Sequence, residues 1–294
     1  MKVFVLGAGK VGRALAQGLR EKKVDVTLRP ARKGLPKARI DADVLVLAVR
    51  DRELGPLAEK LAASGLVSRK TVVLHNAGAL PADALAPLRP VTAGVAQMHP
   101  MISFASRTFF PTLTRGQVHA KGDPKAEKAA RSLAKLLGMT PRTFAKLDTI
   151  GYHAAAGLVA NGAAALAAIG EELLVVAGVP REEAPKMLGP LLRSVAENVE
   201  KLGFPDALTG PVRRGDAGAI ERQIGLLRER LPEALPLFIA SAWAQLPLAR
   251  TLADAPASNF DAMETVLTRA GSAVAPTTKR RPAHGRAQSR RSAR

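Results

Sequence analysis

The feature that most limits how this chain can fold lies near its start. The apolar run Val3-Phe4-Val5-Leu6 leads straight into Gly7-Ala8-Gly9-Lys10-Val11-Gly12, and then into a segment with Val11, Leu15 and Leu19 at helical spacing. Four consecutive apolar residues suit a central strand buried on both faces. In a Gly-x-Gly-x-x-Gly turn between strand and helix each glycine has its own use: a tight turn, close approach of backbone to a pyrophosphate, and close packing of helix on strand. The helix then starts with unpaired N–H groups and a positive dipole end, which attract phosphates. A glycine turn alone arises by chance. Its place between a strand and an amphipathic helix is what points to a dinucleotide.

The rest of the first half continues an α/β pattern. Apolar runs predict strands at 24–29, 43–49, 71–74 and 91–98, a helix at 54–63, and further strands at 117–121 and 142–145. Between the last two, Asp123 as N-cap and Pro124 at the first helical position start a helix that runs to 137. From 147 on no strand is expected. Helices are predicted at 148–177, 181–202 (interrupted near Gly189-Pro190), 217–231, 235–253 and 260–270. Helix 148–177 is rich in alanine, leucine and valine, and after Asp148 at its start its acids are Glu171 and Glu172 in the later half, so it reads as a buried helix. The fold class is thus α/β: a Rossmann-type, doubly wound, mostly parallel sheet over 1–146, an all-helical domain over 147–274, and a basic, disordered tail over 275–294.

In such sheets ligands gather at the carboxyl ends of the strands. Residues placed there are Val49, Arg50, His75, Asn76 and His99, and with Gly7, Ala8, Gly9, Lys10, Val11 and Gly12 they form the expected cofactor cleft. The end of the second strand carries Arg29, Arg32 and Lys33 with no nearby acid. An acid there would accept a ribose 2′-hydroxyl, whereas arginines suit a 2′-phosphate, so NADP is expected over NAD.

Composition narrows the remaining choices. The sequence has no cysteine, which removes a disulfide framework, a thiolate metal site and a cysteine nucleophile, and no metal site is expected. No run is expected to span a membrane, and the setting is taken as cytoplasmic. The net charge is +19; residues 276–294 hold seven of the basic groups and no acid, and the rest of the chain keeps +12. One Trp, one Tyr and eight Phe offer little for stacking on bases, so nucleic acid is not an expected partner beyond non-specific contact by the tail.

Three motifs carry a resemblance. The segments Met98-His99-Pro100-Met101-Ile102-Ser103-Phe104, Tyr152-His153-Ala154-Ala155-Ala156 with Asn161 downstream, and Leu208 through Asp216 resemble Rossmann-like proteins that carry the domain of unknown function 2520. That family resembles the 6-phosphogluconate and 3-hydroxyacid dehydrogenases, pyrroline-5-carboxylate reductase and the F420-dependent NADP oxidoreductases. The resemblance implies a nucleotide domain joined to a helical domain that often forms a homodimer. His99-Pro100-Met101 is similar to a turn of prephenate dehydrogenases whose histidine engages the substrate hydroxyl beside the nicotinamide. Where the hydroxyacid dehydrogenases carry a catalytic lysine and an asparagine, this chain has His153 and, two turns on, Asn161.

Hydride transfer to a carbonyl or imine needs a proton donor, and an imidazole serves near neutral pH. The expected catalytic residues are His99 as acid/base, with His153 and Asn161 orienting a small, anionic substrate. Thr209 to Asp216 reads chiefly as caps and turns, with Arg213 and Arg214 as candidate anion contacts. The alternative, which the missing lysine favours, is a non-catalytic NADP-binding or sensing protein.

Overall fold

A computed structural model of the chain describes residues 1–272, so the tail expected at 275–294 lies outside the described residues. The described residues divide into two compact units that meet between 162 and 163. The division falls inside a helix, later than the boundary near Lys146 expected from sequence.

The first unit is built on one sheet of order β2-β1-β3-β4-β5-β6-β7. Its strands are β1 (Lys2–Leu6), β2 (Asp25–Arg29), β3 (Val44–Leu47), β4 (Val72–His75), β5 (Gly94–Pro100), β6 (Gln117–Gly122) and β7 (Thr140–Arg142). Neighbours pair in parallel except β5 with β6, which are antiparallel. Between the strands lie α1 (Lys10–Glu21), α2 (Asp51–Ala63) and α3 (Pro124–Leu136).

The two-residue period of a strand explains why this sheet is covered on both faces. Val3, Val5, Val44 and Val46 join Leu15 and Leu19 of α1 and Leu133 of α3 in one apolar cluster. Leu6, Leu45 and Leu47 join Leu54 and Leu61 of α2 in the other. The last strand, expected at 142–145, lies at Thr140–Arg142, and two further local expectations change. Strand β5 does not end at Met98 but runs through His99 and Pro100, because pairing with β6 continues to Pro100↔Val118. Asp123 holds the N-cap position of α3 without capping it; its carboxylate instead accepts from the Val95 N–H and from Arg89.

Helix α4 (Thr149–Val176) crosses the unit boundary, and none of its residues is buried. By length and composition alone it is long and apolar enough to cross a membrane, though His153, Asn161, Glu171 and Glu172 interrupt it. The expectation that it is a core helix fails for the single chain. The hydrophobic period makes a helix apolar all round without fixing what covers it.

In the second unit, α5 (Ala184–Leu202), α6 (Ala217–Arg230), α7 (Leu235–Leu252) and α8 (Ala257–Ser272) follow. Helix α5 continues through Pro190, where a break was expected. The unit's core interleaves Ile220, Ile224 and Leu227 with Ile239 and Leu246 and with Phe260, Met263 and Leu267, each set at three-, four- or seven-residue spacing. Asp216 caps α6 by accepting from the Ala219 N–H at 2.8 Å, as its position predicts.

Candidate functional site

The opening turn has the sterics that its spacing predicts. Gly7 adopts φ +125°, and a Cβ there would collide with the Ala48 carbonyl of the β3 end. A Cβ at Gly12 would collide with the Gly7 carbonyl, so that glycine is what lets α1 lie against the turn. Gly9 is different: nothing lies within 4 Å of where its Cβ would be. Its surface faces open space at the start of α1, and no side chain caps that start. The first N–H groups of this 12-residue helix therefore remain for an anion.

Two cavities with wall residues in common open here. The larger, about 420 Å³, has Gly9, Lys10, Arg50, Asn76, His99 and His153 in its wall, together with Val11 and Val49. The smaller, about 220 Å³, shares Gly9, Val49 and Arg50 with it and adds Gly7, Ala8, Arg13, Arg32 and Arg107. Arg13 and Arg107 were not singled out from the sequence. Arg107 comes from the long segment after β5, and only the fold brings that segment beside the glycine turn.

The two histidines expected to do chemistry do meet. His99 sits on β5 and His153 in the first turns of α4, with ring centroids 5.9 Å apart at 77°. Thr149 anchors this end of α4 by donating to the Ala79 carbonyl at 3.0 Å, just beyond the end of β4. Both rings press on Gly78: a Cβ there would lie 2.7 Å from His99 Nε2 and closer still to His153 Nδ1. Gly78 is thus the floor of the histidine pair, a role no sequence spacing announces. On its far side His99 Nδ1 lies 3.4 Å from the Tyr152 hydroxyl. Burial, then the neighbouring His153 and His119, lower the pKa of His99 to about 4, so its ring is neutral at pH 7.

Asn76 lines the larger cavity with one hydrogen bond missing. Its amide N–H₂ donates to the Met98 carbonyl at 2.6 Å, while its Oδ1 is buried without a partner. A buried amide oxygen left unpaired asks for a donor. A carboxamide N–H₂ in the cavity is of the right chemistry, so the orphaned oxygen fits a nicotinamide.

Other expected residues lie elsewhere. The Arg29 guanidinium donates to the backbone carbonyls of Lys33, Gly34 and Leu35, so it shapes the loop after β2 and leaves Arg32 to face the cavity. His75 is fully buried; its Nε2 pairs with the Pro81 carbonyl and its Nδ1 accepts from the Ala77 N–H, so its side chain lines neither cavity. Asn161 is exposed and lines neither cavity, and the site does not draw on it as expected. Two turns of helix put it on the face of His153 but about 12 Å further along the axis. In the second unit Arg213 is bound to Asp254 at 2.6 Å and to the carbonyls of Asp206 and Leu208, so it holds a turn together instead of standing ready for an anion.

Comparisons agree with this architecture. Residues 28–100 match the Rossmann-like domain, and residues 117–242 match the domain of unknown function DUF2520. Among solved structures, a Bacteroides fragilis protein named as a candidate NADP oxidoreductase superposes with TM-score 0.66 at 16% identity, covering 84% of this chain and 98% of that one. A Thermotoga maritima protein, TM1727, gives 0.62 at 20% identity, over 85% and 98%. The Plasmodium falciparum pyrroline carboxylate reductase, solved with NADP bound, gives 0.55 at 14% identity, over 92% and 97%. No curated protein matches the sequence. At these identities the likeness establishes the fold: a Rossmann-like sheet followed by helices.

Proposed function

We propose that this protein is an NADP-dependent oxidoreductase that transfers a hydride between NADP(H) and a small, anionic carbonyl, hydroxy or imine substrate. The observation that carries the reading is that the two cavities share Gly9, Val49 and Arg50 in their walls and so line up along the sheet end. Together they run from the uncapped start of α1 and the arginine-lined cavity to the unpaired Asn76 oxygen and the two histidines. The nicotinamide supplies or accepts the hydride. The chain does the rest. The N–H groups at the start of α1 would hold a pyrophosphate, Arg32, Arg13 and Arg107 would hold a 2′-phosphate, and Asn76 Oδ1 would accept from a carboxamide. His99, neutral at pH 7, presents one donor and one acceptor nitrogen and so holds or takes the proton of a reacting oxygen or nitrogen at Nε2. Lys10 and Arg50 favour an anionic substrate, whose charge beside His99 raises the imidazole's pKa and recruits a proton. The structural relatives named for NADP oxidoreduction, and the one solved with NADP bound, support the same reading.

The test is NADPH and NADH binding by calorimetry, followed by NADPH oxidation against a panel of keto acids and cyclic imines. Tight NADPH binding, weaker NADH binding, and turnover lost in His99→Asn are expected. Failure to bind either nucleotide overturns the reading. Helix α4 carries no lysine, which favours the alternative of a binding or sensing protein; tight NADPH binding with no turnover across the panel would select it.

The protein is further read as a cytoplasmic homodimer formed through its helices. Met187, Leu191, Val195, Val199 and Leu202 of α5 lie three or four residues apart and are each more than a third exposed. Leu158 and Val159 of α4 are exposed by 77% and 71%. A second copy presenting the same stripes would cover them.

A further inference from the structure

Antiparallel pairing of β5 with β6 places His99 directly opposite His119. Opposed residues project from the same face, so the two imidazoles stand side by side. His119 is 2% exposed, and its Nδ1 is buried with no hydrogen-bond partner. Tyr152 of α4 lies over both rings, 5.4 Å from His99 and 5.8 Å from His119 between centroids, with its hydroxyl 3.4 Å from His99 Nδ1. On its other side His119 lines a separate cavity of about 320 Å³ with Gln97, Lys121, Phe144 and Thr149. Phe144 stacks on the His119 ring at 5.9 Å and 10°. A buried imidazole with an unpaired nitrogen, set between the reacting histidine and a second cavity, has no part in holding the cofactor.

We propose that His119 and Tyr152 form with His99 a proton relay joining the cleft to this second cavity, with solvent hydronium or a buffer acid as the proton source. The proposal rests on the oxidoreductase reading above. In the reducing direction the substrate heteroatom takes the proton from His99 Nε2, and His99 Nδ1 takes the Tyr152 hydroxyl proton. The Tyr152 oxygen is reprotonated from the His119 side, and His119 takes its replacement from the acid in the second cavity. One proton leaves solvent and one reaches product. Tyr152 ends as it began, and His99 and His119 each end as the other tautomer, which turning of the two rings restores once product has left.

The surroundings keep the relay in the state it needs. Burial lowers the pKa of both His99 and His119. His99 faces His75 on β4, His119 on β6, and Tyr152 and His153 on α4; His119 faces Lys121 on its own strand, which lowers its pKa, and Glu127 on α3, which raises it. Both rings are neutral at pH 7, and a neutral imidazole carries one donor and one acceptor.

The first test needs no substrate. In protein labelled with ¹⁵N-histidine, the titration of His99 is followed in wild type, His119→Gln, Tyr152→Phe and the double variant. A relay predicts that removing His119 moves the His99 midpoint by about half a pH unit or more, and that Tyr152→Phe cancels that shift, a non-additivity expected only of residues in one network. The second test uses the acceptor found in the panel. Tyr152→Phe and His119→Phe should keep NADPH affinity, lose about tenfold or more in turnover, and change the pH profile; added imidazole should restore turnover to His119→Gly. Additive His99 shifts, or wild-type pH profiles in variants that circular dichroism shows to be folded, would overturn the relay. Wild-type protein that oxidises no NADPH would instead overturn the oxidoreductase reading, and the titration experiment would still decide the relay.

Discussion

His75 makes the protein sensitive to mild acid, by an amount that follows from its burial. Its ring is 0% exposed, and burial, opposed by its bond to the Pro81 carbonyl and reinforced by His99, lowers its pKa from 6.5 to about 4. The neutral ring is thus the native form, while the unfolded chain takes up a proton near pH 6.5. Between those values the unfolded state binds more protons, so stability is full above pH 6.5 and falls as pH drops toward 4. The whole shift corresponds to about 3 kcal/mol, of which about 2 kcal/mol is already lost at pH 5. Urea unfolding at pH 7.5 and pH 5.0 reads it. Far-UV circular dichroism is the right signal, because the single tryptophan, Trp243, lies on α7 in the other unit. His75→Gln removes the titrating group but not the other histidines. The pH dependence of wild type should exceed that of the variant by about 2 kcal/mol. Equal pH dependence in the two proteins would mean that His75 is protonated in the fold or already neutral in the unfolded chain, and the reasoning would be wrong.

Three further outcomes are expected. Gly78→Ala wedges a methyl between the histidines, so turnover should fall by about tenfold or more while NADPH affinity changes by less than about twofold; unchanged turnover would show that the pair has room to move. Replacing Arg32 and Arg107 together by serine should weaken NADPH about tenfold or more and leave NADH nearly unchanged; parallel losses for both nucleotides would remove these residues from the 2′-phosphate site. Leu191→Asp with Val195→Asp should convert a dimer to monomers in light scattering, and a wild-type protein that is already monomeric would refute the proposed interface.

How far the sequence could be read depended on how local the cause was. The continuous apolar runs of β1 and β3 and the sterics of Gly7 and Gly12 are short-range facts, and they appeared where expected. Arg29 and Arg32, three residues apart with the same charge, could not be told apart until the backbone carbonyls of 33–35 were seen to claim one of them. His75 and His99 both come at strand ends in the sequence, yet one is sealed in the core and the other opens on the cleft. Asn161 has the helical phase of His153 but not its reach, because phase says nothing about distance along the axis.

The sequence alone thus determined the glycine-rich turn, the Rossmann-like sheet and the switch to helices after 147, since backbone geometry and hydrophobic period act over a few residues. Tertiary structure alone decided which polar groups share a space: that Gly78 lies under two histidines from different elements, that Arg107 arrives beside the glycine turn, and that an antiparallel strand sets His119 next to His99. Hydrogen bonds and burial reach across any sequence separation, so partners 20 to 100 residues apart leave no periodic trace in the chain.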